Sequence, residues 1–137
     1  KTCRKDGRKF FLSNNLKLAT NLSLDGVYLP SFNISLNIIK TNMKKGFKII
    51  GSAHSIKQIR IKEKQGVEAI FISPLFKTKN YKKFLNPIKF NLLTLKTIQK
   101  IIALGGITTS NLNKLRVTKS CGFAGISFFK DNDKFKI

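Results

Sequence analysis

The chain has 137 residues, 42% of them hydrophobic, and a formal net charge of +21. That length supports one domain, residues 1–137, with a real core, and no apolar run approaches the ~18 residues a membrane-crossing helix requires, which excludes a membrane span of that kind. Of the 27 basic residues 23 are lysine, scattered through every segment, whereas readers of nucleic acid lean on arginine gathered on one face; a basic nucleic-acid-binding protein is therefore kept only as an alternative.

In chain order, residues 1–7 read as the end of a helix stopped by Gly7, and Lys9–Leu12 as a short apolar strand. Ser13-Asn14-Asn15 is a cap-rich turn before a helix over Leu16–Leu22, with Leu18, Ala19 and Leu22 on one face. Asp25–Leu29 is the next strand, ended by Pro30. Ser31–Asn33 caps a third segment in which Ile34, Ile38 and Met43 fall at roughly helical spacing before Gly46.

The next stretch is the most informative. Lys48–Gly51 reads as a buried strand, Ser52-Ala53-His54-Ser55 as a polar turn with the single histidine, and Ser55–Gln65 as an amphipathic helix stopped by Gly66. Glu68–Ser73 is the returning strand, which completes a βαβ unit with parallel strands. The turn leaves the carboxyl end of a strand and opens a helix, where ligands collect in α/β folds.

Beyond Pro74 the basic run LFKTKNYKKF lacks a period and reads as a loop. A helix is expected over Ile88–Leu95, and a strand over Lys100–Leu104 ending in Gly105-Gly106. A helix capped by Thr108–Ser110 and running to about Ser120 follows, broken by Gly122. Ala124–Phe129 is the last strand, and Lys130–Ile137 a short polar tail.

Two stretches repeat one plan of Gly-polar turn, helix, Gly stop and strand: 15 residues separate Gly51 from Gly66 and 16 separate Gly106 from Gly122. Such echoes mark a repetitive βα architecture. The expected fold class is α/β, an incomplete TIM-type (β/α) barrel of about six parallel strands with intervening helices, two strands short of closure. The open edges, Lys9–Leu12 and Ala124–Phe129, invite pairing with another copy, so a homo-oligomer is expected.

Cys3 and Cys121 lie far apart with no CxxC spacing, so reduced thiols and no zinc site are expected. Without a signal-peptide pattern the expected location is cytoplasmic. The first residue is Lys, and the expectation is a start inside a longer gene product. On residues alone, Gly105-Gly106 is either an anion-accepting turn or merely a tight βα turn. His54 is likewise either an acid–base group or a histidine at a helix start.

The segments FFLSNNLKLATNLSLDGVYLP, IIGSAHS, GVEAIFISPLFKTK, ALGGITTSNL and CGFAGISFF occur in the order found in the thiamine phosphate synthase / thiazole tautomerase (TenI) family. The chain resembles the third to eighth strands of that family's barrel. The resemblance implies a thiamine-biosynthesis protein that binds a thiazole phosphate. The family's synthases use Mg²⁺ held by two aspartates, and the matching positions here are Asn14 and Asn33. Neutral amides bind that hard ion far more weakly than carboxylates do. No cofactor or metal site is therefore expected, and metal-free proton transfer fits better than coupling. In the tautomerase branch a histidine in an S-x-H-S turn moves the proton, which points to His54.

By the same resemblance Ser52, Thr78, Lys79, Gly105, Gly106, Lys130 and Asn14 would contact the substrate. Thr78 is what remains of the family's PT-x-TK loop, and Lys130 stands where the family has a phosphate-binding serine. Among the acids, Asp6, Asp25, Glu63 and Glu68 fall near amino ends of strands or on helices, which leaves Asp131 and Asp133 of the tail within reach of the site. A non-catalytic truncated relative that binds a phosphorylated ligand remains the other reading.

Overall fold

The computed structural model describes residues 2–40, 43–79 and 81–131. Among them, six strands form one parallel sheet in sequence order: β1 (Phe11–Ser13), β2 (Gly26–Leu29), β3 (Lys48–Ala53), β4 (Ala69–Ile72), β5 (Lys100–Leu104) and β6 (Gly122–Ala124). The sheet is not closed, since β1 pairs only with β2 and β6 only with β5. Helices α1 (Thr2–Lys5), α2 (Leu16–Asn21), α3 (Ile56–Lys64), α4 (Asn86–Thr94) and α5 (Ile126–Asp131) complete the described residues, with 3-10 turns over Asn37–Lys40 and Leu112–Val117.

Register divides the sheet into two faces. Val27 pairs with Ile49, Leu29 with Gly51, Gly51 with Ile70, and Ile72 with Ala103. A Cβ built on Gly51 would lie 3.0 Å from Lys62 Cδ of α3, so this is the face under the helices. It carries the buried core of Val27, Leu29, Ile49, Ala53, Ile70, Ile72, Ile101 and Ala103, joined by Ile59 from α3 and Phe90 from α4. The opposite face carries Tyr28, Ile50, Phe71 and Ile102; the Tyr28 and Phe71 rings meet edge to face at 5.9 Å.

Helix signals explain the local structure where caps are present. Asn15 accepts from Leu18 N at 3.0 Å and opens α2; Ser55 accepts from Gln58 N and opens α3. Of the expected apolar face of α2 only Ala19 is buried, while Leu18 and Leu22 are exposed.

Four expectations need correction. The third strand runs on through Ser52 and Ala53, so the turn begins at His54, because both residues still pair with β4. The segment with Ile34, Ile38 and Met43 forms, among its described residues, a 3-10 turn over Asn37–Lys40 rather than a helix, because the carbonyls of Pro30, Asn33 and Ser35 are taken by the side chains of Lys62 in α3 and Gln65 just after it. The region Thr108–Ser120 contains a 3-10 turn over Leu112–Val117 and no α-helix; the Asn111 side chain receives Thr108 N and donates to Gly106 O, which tightens the entry. The apolar run Ala124–Phe129 is not a strand. β6 ends at Ala124 and α5 folds back so that buried Phe128 meets Phe123 edge to face at 5.1 Å. The open edge on that side is therefore Gly122–Ala124, and on the other side Phe11–Ser13. Of the polar tail, residues 132–137 lie outside the described residues, Asp133 among them.

Candidate functional site

The carboxyl ends of β3 to β6 surround a cavity of ≈ 1000 Å³. Parallel register brings its first wall together. Ala53 pairs with Ile72, so the next residues, His54 and Ser73, come side by side. His54 Nδ1 lies 2.7 Å from Ser73 O and 3.3 Å from Ser73 Oγ. A carbonyl oxygen only accepts, so Nδ1 carries the hydrogen, and in the neutral imidazole Nε2 then keeps its lone pair. The backbone N of His54 donates to Gln58 Oε1 at 2.7 Å, one turn into α3, which fixes the residue at the head of the helix. His54 is solvent-exposed and lines the cavity.

The second wall is the turn after β5. Gly105 and Gly106 both have positive φ, +93° and +69°, which side chains strongly disfavour. A Cβ on Gly106 would fall 2.5 Å from Lys77 O and 2.6 Å from Phe76 O, so the turn packs directly on the backbone of the loop after β4. Leu75 N donates to Leu104 O and Phe76 N to Gly105 O, which extends the β4–β5 pairing into that loop. The loop in turn brings Lys77, Lys79 and Lys83 to the cavity, with no carboxylate among the described residues lining it. An anionic ligand is the chemistry this arrangement favours.

His54, Thr78, Lys79, Gly105 and Gly106 all line this one cavity. The Thr78 hydroxyl also accepts from Tyr81 N at 3.0 Å, a local turn of the kind threonine favours. Asn14, Ser52 and Lys130 lie outside the cavity lining. Ser52 is a buried residue of β3, and Lys130 sits in the last turn of α5. Ser73, Lys77, Lys83 and Ser127 are cavity residues that sequence reasoning missed. Ser73 was legible in principle, since it follows the strand that returns beside His54.

Asn14 and Asn33 do not fit a magnesium site. Asn33 Nδ2 donates to Asn14 Oδ1 at 2.7 Å, and Asn33 Oδ1 accepts from Ser35 N at 3.0 Å and Gln65 Nε2 at 3.1 Å. Both amide oxygens are neutral and already engaged, whereas the ion wants anionic oxygen. Among the described residues no group of three or more His, Cys, Asp or Glu side chains is placed to hold a metal.

The thiamine monophosphate synthase family model matches residues 1–129. Putative thiamine-phosphate synthase 2 of Aquifex aeolicus is 32% identical over 123 residues, which is 86% of this chain and 64% of that protein. Thiamine-phosphate synthase of Helicobacter pylori strain J99 is 30% identical over 132 residues, 93% of this chain and 60% of that one. The chain thus spans less than two thirds of the length of these relatives. Among solved structures, thiamine phosphate pyrophosphorylase from Pyrococcus furiosus superposes with a TM-score of 0.77 at 20% identity, covering 97% of this chain and 64% of that one. At that identity the match supports the fold alone, which is the parallel α/β sheet already described. With the family model matched from end to end of the sheet, the chain belongs to the thiamine monophosphate synthase family.

Proposed function

We propose that the cavity binds a thiazole phosphate and that His54 performs tautomerase-like proton transfer on it, in preference to magnesium-dependent coupling. The observation that carries this reading is that His54 and the Gly105-Gly106 turn line the same cavity. The phosphate is received by the turn's open backbone together with Lys77 and Lys79. In the neutral imidazole, with Nδ1 donating to Ser73 O, Nε2 of His54 takes a proton from the ring and returns it at the neighbouring position. Nothing is gained or lost overall.

The test pairs calorimetric titration of thiazole phosphate with an assay of thiazole tautomer exchange. Wild type should bind and exchange. His54→Ala should bind with similar affinity and exchange at least roughly a hundredfold more slowly. Equal exchange rates would remove His54 from the mechanism, and no binding heat would remove the ligand.

A second reading is a non-catalytic relative that binds a phosphorylated ligand. Binding without exchange in wild type would select it.

A further inference from the structure

Lys62 is fully buried, at 0% exposure, whereas the other described lysines are exposed or half-buried. Its Nζ donates to Pro30 O at 2.7 Å, Asn33 O at 2.8 Å and Gln65 Oε1 at 3.0 Å. An ammonium has three hydrogens, and all three are used. Gln65, also fully buried, is oriented by that bond and turns its amide nitrogen to Asn33 O, Asn33 Oδ1 and Ser35 O, at 3.0, 3.1 and 2.9 Å. Asn33 then reaches Asn14.

A continuous chain of hydrogen bonds therefore runs from α3 through the loop leaving β2 to the loop leaving β1. Residues 30–36 are not helical. A helix would satisfy these carbonyls with its own amides, whereas here Asn33 O and Ser35 O are met by Lys62 of α3 and by Gln65 just after it, and Pro30 O accepts from Lys62 as well as from Asn33 N. Gly51 leaves the lane for the lysine stem, since any Cβ there would lie 3.0 Å from Lys62 Cδ.

We propose that the ammonium of Lys62 is a resident cation that fixes the loops leaving β1 and β2, in place of a divalent metal held at Asn14 and Asn33. The substitution is chemically consistent. The oxygens of Asn14 and Asn33 that a metal would need already accept hydrogen bonds from this network. A metal there would break those bonds and stand near a buried ammonium of like charge. This inference does not depend on which ligand the cavity takes.

Hydrogen exchange on the full chain tests it, read at the amides of Asn33, Ser35 and Asn37, which donate to Pro30 O, Asn33 Oδ1 and Ser35 Oγ. Lys62→Met should speed exchange at these amides roughly tenfold or more while β5 amides change less. Gln65→Leu, which keeps the lysine, should speed Ser35 and Asn37 severalfold, and it carries the test if Lys62→Met does not fold. Millimolar magnesium chloride should leave wild-type exchange and Tm unchanged and should not restore either variant. Wild-type exchange rates at the three amides in the folded variants would overturn the proposal. So would magnesium that slows exchange there in wild type.

Discussion

Replacing Gly106 by alanine separates two costs that glycine avoids, and Gly66 supplies the control. Both glycines have nearly the same backbone, φ +69° and +71°. A side chain in that region costs ~1–2 kcal/mol wherever it occurs. At Gly66 nothing lies within 4 Å of the added Cβ, so Gly66→Ala should cost that amount and no more. At Gly106 the Cβ would meet Lys77 O, Phe76 O and Phe76 C at 2.5, 2.6 and 2.7 Å, and all three are backbone atoms that no rotamer change can move aside. The loop after β4 must shift, at a further ~1–3 kcal/mol by analogy with overpacked interiors. Gly106→Ala is therefore expected to lose ~2–5 kcal/mol in urea unfolding, at a cost of ~2–4 °C in Tm per kcal/mol for a domain near this size. Because the displaced loop carries Lys77 and Lys79, affinity for thiazole phosphate should fall in Gly106→Ala and hold in Gly66→Ala. Equal stability losses in the two variants would refute the reasoning, since they would mean the turn is not pressed against the loop.

Other outcomes follow from packing and charge. Phe90 is a fully buried residue of α4, so Phe90→Ala should destabilise by ~3–5 kcal/mol in the same unfolding assay; less than ~1 would place it outside the core. Burial lowers the Lys62 ammonium from its ordinary 10.5 to about 8. Between those two values the unfolded chain holds a proton that the folded chain has released. Stability should therefore rise with pH across that window, by up to ~3 kcal/mol. Denaturant curves of wild type and Lys62→Met from pH 7.5 to 10.5 check this, and a parallel pH dependence in the variant would contradict it. Among the described residues β1 and β6 each have one unpaired edge, so light scattering is expected to show a dimer or larger assembly. A stable monomer would count against edge pairing.

Much of the fold was legible in the residues. Lys100–Leu104 is apolar, bounded by Gly-Gly, and is β5 residue for residue. Ser55 and Gly66 mark the ends of α3 because a hydroxyl can cap the first turn and glycine can take the positive φ that stops the last. The run GISFF was misread because continuous apolarity has no period to tell strand from helix, and burial of Phe128 against Phe123 decided it. The helix expected around Ile38 failed for a different reason: competition for its carbonyls comes from residues about 30 positions away.

The site divides along the same line. By itself the sequence determined the βα order, the Gly66 helix stop, the Gly105-Gly106 turn and the presence of a histidine at a strand end, because these depend on local backbone preference and on periodicity. Only the tertiary structure could pair His54 with Ser73, press Gly106 on the loop of Lys77, and distinguish Lys62 from the other described lysines. A buried ammonium carries no local signature. What makes it one is the set of carbonyls that a distant segment brings to meet it.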